Sequence, residues 1–190
     1  MKIIITENQL KSIILKEQSE EKKDFTLNGN VASQKLWDHI RKWESLRTFT
    51  YDDAVYPSEI FKGEKADSVG TLTIGYGHTG DDVKPGQTIT EKQANEFLKT
   101  DVNNAADCVK RWVKRQKNRD NKNDTKYHLL TQGMYDAMID VVFNRGCGWF
   151  VNSEIITNME NGSYDSAKRM IKNLSGDKKR WNETSELFTY

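Results

Sequence analysis

Residues 48–80 constrain the fold more than any other part of the chain, because they interrupt an otherwise helical pattern. This stretch is rich in Thr, Tyr, Gly and β-branched residues, which is typical of short strands and turns. Before it, apolar residues recur at helical spacing from Leu36 to Leu46. After it, helical patterns continue to the end of the chain. The order of one helix, a small antiparallel sheet and then many helices predicts an α+β protein with the sheet on one side.

The helical part contains clear start and stop signals. Thr90 and Gln93 form a capping-box pattern at the start of an apolar series that reaches Val113. A glycine at residue 146 ends the next helix. Asn161-Gly162 separates two short helices further on. After the helix that begins at the Thr90–Gln93 capping box, the predicted helices cover Thr131–Arg145, Ser153–Glu160, Tyr164–Leu174 and a last one from about Asp177.

Length and charge narrow the classes of function. A chain of 190 residues forms one compact domain or two small lobes that share a core. Twenty-nine basic residues face 28 acidic ones, so the formal net charge is +1. This balance argues against a surface that coats nucleic acid or membrane as a whole. The basic stretch 110–128, with Trp112 and Tyr127, leaves three local interpretations open: a solvated helix face, nucleic-acid binding, or attraction to an anionic cell wall.

Residues 1–32 are interpreted as an N-terminal extension and linker, and residues 33–190 as the compact domain. The extension holds a capping-box pattern at Thr6 and Gln9 and one short apolar stripe, followed by a charged, turn-rich segment. Its longest apolar run, Ile3–Ile5, is too short for a secretory signal or a membrane span. The extension is therefore either a docking element or an addition to the fold.

The two cysteines, Cys108 and Cys147, lack the spacing of a zinc site. Two free thiols in a reducing compartment are the favoured interpretation, ahead of a disulfide.

Glu44 is the first candidate for catalysis. It lies at the edge of the apolar stripe of its helix, between Trp37 and Ile40. Partial desolvation raises the pKa of a carboxyl group, as a general acid near neutral pH requires. The alternative is a structural ion pair with Arg41 or Arg47.

Asp53 follows nine residues after Glu44, beside Asp52, in the turn-rich stretch. Two carboxylates in such positions can flank a glycosidic bond, one as acid and one as base or nucleophile. Adjacent aspartates also occur as plain turn formers.

The segment GTLTIGYGHTG at residues 70–80 frames Thr73 and His78 with glycines. It does not fit a phosphate-binding loop, because neither GK[ST] nor a helix start follows. Alternation would place Thr73, Gly75 and Gly77 on one face that lines a cleft, with the Thr73 hydroxyl able to hold a water. His78 is interpreted as the structural partner of Asp101, which lies on a buried helix stripe and needs a partner, in preference to a catalytic histidine.

Together these motifs resemble the phage-type lysozymes, the endolysin family of T-even and lambdoid phages. The resemblance covers residues from about 36 to about 174. Its most specific piece is residues 70–90. The loop between Asp53 and Thr73 is longer than in the T-even enzyme. The segments that carry the resemblance are ESLR at 44–47, YDD at 51–53, TIGYGH at 73–78, ITEKQA at 89–94, FNRG at 143–146 and FVNS at 150–153.

The resemblance implies a two-lobed fold and muramidase activity on peptidoglycan, without a cofactor or metal. Glu44 matches the general acid, Asp53 the second carboxylate, and Thr73 the hydroxyl that positions water. An inverting mechanism would make Asp53 the base and require a carboxylate separation of ~6.5–9.5 Å. His78 and Asp101 match a structural ion pair. The positions that match saccharide contacts are Thr79, Phe143, Asn144 and Ser153.

The resemblance also implies a biological setting. A monomeric endolysin would be made in the bacterial host cytoplasm without a signal peptide. A holin would release it, and it would act on the cell wall in the periplasm or outside, with no nucleic-acid partner and no membrane insertion. The alternatives are a virion-associated or injected wall-degrading effector docked through residues 1–32, and a catalytically silent wall-binding module.

Overall fold

A computed structural model describes residues 32–54, 70–119 and 130–190 of the chain. Within these ranges it contains seven helices and three short strands. The helices are α1 (Gln34–Glu44), α2 (Glu91–Arg119), α3 (Gln132–Arg145), α4 (Cys147–Val151), α5 (Glu154–Glu160), α6 (Tyr164–Lys172) and α7 (Lys178–Leu187). The strands are β1 (Arg47–Asp52), β2 (Leu72–Gly75) and β3 (His78–Thr79).

The strands form one antiparallel sheet in the order β1-β2-β3, as the composition of residues 48–80 predicts. Tyr51 pairs with Thr73, and Thr73 pairs with Thr79, so these three residues form a row across the sheet. Residues 87–89 run along the other edge of β1, where Ile89 N donates to Thr48 O at 2.8 Å. The predicted α+β class is therefore confirmed.

The helical lobe is organised around α3, which is apolar on nearly all sides. Every residue from Met134 to Val142 is buried, and α3 packs against α1, α2, α4 and α7. A helix that is buried all round forms the centre of a core. The long helix α2 contacts both β2 and α3, and so joins the sheet lobe to the helical lobe.

The sequence signals for helix ends have structural counterparts. Gln93 N donates to Thr90 Oγ1 at 3.2 Å, and Thr90 N donates to Gln93 Oε1 at 2.8 Å, which completes the capping box of α2. Thr131 caps α3, and Asp177 caps α7. The short helix α4 was not predicted, because its five residues are too few to show a periodic pattern.

The predicted alternation along 73–77 is wrong at its end. Strand β2 stops at Gly75, and Tyr76 and Gly77 form a tight turn into β3. Gly77 has a φ of 83°, which an L-residue with a side chain rarely adopts. Gly77 therefore reaches the cleft through a turn and does not extend the face of the strand.

The interpretation of the cysteines as free thiols is also wrong. Cys108 on α2 and Cys147 on α4 form a disulfide with a Cα–Cα distance of 5.9 Å. Their separation of 39 residues along the chain carries no pairing signal, and only the packing of α4 on α2 brings them together.

Four predicted features lie wholly or partly outside the described residues: the capping-box pattern at Thr6 and Gln9 with its apolar stripe, the charged segment after it, the end of the basic stretch 110–128, and most of the long loop between Asp53 and Thr73. Among the described helices, none is both long and apolar enough to cross a bilayer.

Candidate active site

Glu44 is the last residue of α1, where the chain leaves the helical lobe for the sheet. Its side chain is 18% exposed, and its Oε1 accepts a hydrogen bond from Arg180 Nη1 on α7. The sequence had suggested Arg41 or Arg47 as the ion-pair partner of Glu44, but both side chains make other contacts. Arg41 donates to Asn95 Oδ1 at 3.2 Å, and the Arg47 guanidinium lies 4.4 Å from the centre of the Tyr51 ring.

Arg180 connects Glu44 to a second carboxylate. Its Nη2 donates to Asp140 Oδ1 at 2.8 Å, and Asp140 is fully buried on α3. Asp140 Oδ2 accepts from Thr184 Oγ1 at 2.7 Å and lies 3.3 Å from His39 Nε2. Burial acts against the charge of Arg180, but the two carboxylates outweigh it and raise its pKa. The guanidinium that holds Glu44 is thus permanently charged.

Gly77 covers the other oxygen of Glu44. A Cβ built on Gly77 would lie 3.0 Å from Glu44 Oε2. Gly77 also lines a cavity of about 250 Å³, together with Thr79 from β3 and Phe143 from α3. The turn between β2 and β3 therefore contacts Glu44 Oε2 and also lines the cavity between the two lobes.

The two neighbouring aspartates have different environments. Asp52 is 3% exposed, and its carboxylate accepts hydrogen bonds from Ala54 N at 2.9 Å and Gly70 N at 3.2 Å. Asp53 is exposed, and its Oδ1 accepts from Thr71 N at 2.6 Å. Asp52 thus closes the turn, whereas Asp53 presents a carboxylate to solvent.

Thr73 and Asp53 are held by the same peptide segment. The Thr73 hydroxyl donates to Thr71 O at 3.1 Å, and Thr71 N donates to Asp53. Because a hydroxyl has a single proton to donate, Thr73 Oγ1 is left with its acceptor capacity. Thr73 is 4% exposed and therefore sits at the floor of the site.

The pKa of Tyr51 reports how the two candidate carboxylates lie. Burial raises the pKa of this phenol, the Arg47 cation opposes the rise, and the negative charges of Glu44 and Asp53 add to it. The charges of both candidate carboxylates therefore act on the phenol of Tyr51. Tyr51 pairs directly with Thr73, so these two residues share one face of the sheet.

His78 lies behind this face and is bound on both ring nitrogens. Nδ1 is 2.8 Å from Asp101 Oδ2, and Nε2 is 3.1 Å from Asp82 Oδ2. Phe97 stacks on the imidazole at a centroid distance of 4.2 Å. Burial disfavours the imidazolium, but the hydrogen bonds to the two carboxylates outweigh this and raise the pKa of His78. Through these contacts His78 links the sheet to α2.

The four predicted saccharide-contacting residues are not all in equivalent positions. Thr79 and Phe143 line the cavity beside Gly77. Asn144 is exposed on the last turn of α3, next to Phe143. Ser153 Oγ donates to Phe150 O at 2.7 Å and so supports the start of α5. Substrate contact by these residues stays a prediction.

Sequence reasoning did not find Arg180, Asp140 or the main chain of Thr71. Arg180 lies 136 residues from Glu44 in the chain, and no local pattern relates the two. The position of Asp140 among buried α3 residues was the one available signal, because a buried carboxylate needs a partner.

Comparison of the sequence with known proteins finds relatives among phage endolysins. The chain is 30% identical over 141 residues to the endolysin of Bacillus phage B103, covering 73% of the chain and 44% of that protein. It is 31% identical over 106 residues to the endolysin of Salmonella phage P22, covering 54% of the chain and 64% of that protein. The chain thus spans less than two thirds of the length of these relatives.

Solved structures share the fold. The endolysin of Escherichia coli O157:H7 phage FAHEc1 superposes with a TM-score of 0.59 at 23% identity, over 85% of this chain and 94% of that one. The family model described as phage lysozyme matches residues 41–184, which include residues of both lobes and the candidate residues Glu44, Asp53 and Thr73. The chain therefore belongs to the phage lysozyme family.

Proposed function

We propose that the protein is a muramidase, a glycoside hydrolase that cleaves the β-1,4 bond between N-acetylmuramic acid and N-acetylglucosamine in bacterial peptidoglycan. The observation that carries the proposal is the placement of two carboxylates at the two ends of β1: Glu44 ends α1 just before the strand, and Asp53 follows the strand and shares the Thr71 peptide with Thr73. Family membership and the endolysin relatives support peptidoglycan as the substrate.

Glu44 supplies the acid through Oε2. Arg180 has only donors, so the oxygen that it contacts, Oε1, must act as an acceptor. The proton of the neutral acid therefore resides on Oε2, the oxygen beside Gly77, which itself lines the cavity. From there it passes to the glycosidic oxygen as the bond to the leaving sugar breaks.

Asp53 acts as the base for the attacking water. Thr71 N occupies its Oδ1, so we assign Oδ2 to the water. The water donates one hydrogen to Oδ2 and the other to Thr73 Oγ1, which aims its lone pair at the anomeric carbon. The water attacks from the face opposite the leaving oxygen, which inverts the configuration at that carbon.

The same proposal covers organisation and setting. Residues 33–190 form the catalytic domain, and residues 1–32 are an extension outside it. The enzyme works as a monomer and without a cofactor. It is made in a bacterial host and reaches the cell wall by holin-dependent release, or as a component of a virion or injection system.

The activity is tested by the release of soluble muropeptides from purified peptidoglycan. Glu44→Gln keeps an acceptor for Arg180 but has no acid proton, and we expect a loss of at least about 100-fold, as for removal of a general acid. Glu186→Gln on the exposed side of α7 is the matched control and should retain wild-type activity. Lysis by Glu44→Gln at the wild-type rate would refute the acid assignment, and an inactive wild-type protein would indicate a wall-binding module.

The second carboxylate is tested by two neighbouring substitutions. Asp53→Asn removes the proposed base and should abolish turnover while the protein stays folded. Asp52→Asn removes a buried acceptor and should mainly lower stability. Lost turnover in Asp52→Asn with normal turnover in Asp53→Asn would move the base by one position.

A further inference from the structure

A connected series of ionisable side chains includes the proposed acid, and both ends of the series lie on helix α1. His39 and Glu44 are both on α1, while Asp140 on α3 and Arg180 on α7 lie between them. The side chain of Asp140 is 0% exposed and that of Arg180 is 7% exposed. Charges buried to this extent interact more strongly than charges at the surface.

This arrangement answers a difficulty in the proposed mechanism. A cation in contact with Glu44 favours its ionised form, whereas a general acid must hold its proton near neutral pH. Asp140 binds the opposite edge of the same guanidinium, at 2.8 Å, and brings a negative charge that opposes the ionisation of Glu44. The guanidinium then fixes the geometry of Glu44 while its charge is largely balanced.

We propose that Asp140 is a positioning residue for the reaction: it holds Arg180 against Glu44 and offsets the positive charge that Arg180 places beside this acid. This inference rests on the proposed function, because it assigns a role to Asp140 only if Glu44 is the acid.

The hydrogen bonds of Asp140 fit this role. Thr184 donates to its Oδ2, and Arg180 donates to its Oδ1. The hydrogen bond from His39 and the charge of Arg180 outweigh burial and lower the pKa of Asp140. Asp140 is therefore ionised throughout the range in which a lysozyme would act, and its charge is constant there.

Other charged and titratable groups lie on the elements that form the site and must stay unchanged in the test. They come from α1, from β1, from the β2–β3 turn, and from α3 and α7. These groups are His39, Arg41, Lys42, Arg47, Tyr51, Asp53, His78, Asp136, Arg145 and Glu183. None of these side chains is replaced in Asp140→Asn, and His39 and Arg180 each lose the charge of a bonded partner, so a shift in the pH profile reports the loss of the charge at position 140.

The experiment measures the initial rate of muropeptide release against pH at constant ionic strength. Asp140→Asn keeps an acceptor for Arg180 but lacks the charge, so Arg180 acts on Glu44 without compensation. We expect the alkaline limb of kcat/KM to move by about one unit to lower pH. Rates below the limb stay within a few-fold of wild type.

Thr184→Val is the matched control for a structural role. It removes a hydrogen bond from the same carboxylate and leaves the charge in place. We expect a lower midpoint of thermal unfolding and an unchanged alkaline limb. A limb that is unmoved in Asp140→Asn, or equally moved in Thr184→Val, would overturn the proposal.

The double variant Asp140→Asn with Arg180→Gln keeps the inference testable if the single variant does not fold. It removes both members of the buried Arg180–Asp140 pair together, so neither is left without the other. Its alkaline limb should lie near that of wild type, although the rate falls because Glu44 loses its clamp. A limb moved to higher pH would mean that Asp140 did not offset Arg180. Failure of the proposed function is distinct, since wild type itself would then release no muropeptides.

Discussion

Reduction of the Cys108–Cys147 disulfide tests how much stability this cross-link contributes. The disulfide joins α2 to α4 across 39 residues of chain. In the chain-entropy model, a cross-link removes 2.1 + 1.5R ln n cal/mol/K from the entropy of the unfolded chain. With n = 39 this is about 13 cal/mol/K, or about 4 kcal/mol at room temperature.

The assay is urea unfolding of the same protein with and without dithiothreitol, followed by tryptophan fluorescence. Using one sequence in two redox states avoids the packing change of a substitution at buried Cys108. We expect the free energy of unfolding to fall by about 4 kcal/mol, with a larger m-value because the reduced unfolded chain exposes more surface. A loss below about 1 kcal/mol would refute the entropic reasoning for this cross-link.

Three further predictions follow from single side chains. Gly77→Ala places a Cβ 3.0 Å from Glu44 Oε2 at a φ of 83° and should cost about 1 kcal/mol of stability and most of the activity. Gly162→Ala has a similar φ of 69° with nothing within 4 Å, so it should show the stability loss by calorimetry with normal muropeptide release; equal activity losses in both variants would contradict the contact with Glu44. His78→Asn should destabilise by about 1.5–3 kcal/mol at acid pH, the range for hydrogen bonds to charged groups. Because the pKa of His78 is raised in the fold, the deficit measured by urea unfolding should be full below about pH 6.5 and shrink as pH rises through the folded pKa; a deficit that grows with pH would contradict this. Asp177→Ala removes the cap that accepts from Lys179 N at 2.9 Å and should cost about 1 kcal/mol in thermal unfolding, whereas Glu96→Ala at an exposed position within α2 serves as the comparison and should cost less.

Local signals in the sequence predict much of the fold because they act over a few residues. The capping box at Thr90 and Gln93 and the glycine stop at Gly146 both appear at the predicted helix ends. The change of composition at residues 48–80 corresponds to the three-stranded sheet. The predicted strand face is wrong at Gly77, because a glycine pattern does not distinguish a strand from a tight turn.

The candidate site likewise has features that the sequence predicts and features that only the structure shows. Glu44 and Asp53 were recognisable because they lie close in sequence, at a helix end and in the following turn. The choice of Asp53 over Asp52 came from the resemblance, and the structure adds a physical difference between them: one carboxylate closes a turn and the other is open. The sequence had no means to show this, since two adjacent aspartates are chemically identical until a backbone surrounds them.

By itself, the sequence determined the order of the elements, the caps that delimit the helices, and which carboxylates are the candidates for acid and base. These depend on backbone conformation and residue type, which are local properties. Only the tertiary structure decided which groups meet across the core: Arg180 with Glu44 at a separation of 136 residues, Arg180 with Asp140, and Cys108 with Cys147. The physical reason is that burial joins side chains by the packing of whole helices, and no periodic pattern within one helix specifies its partner on another.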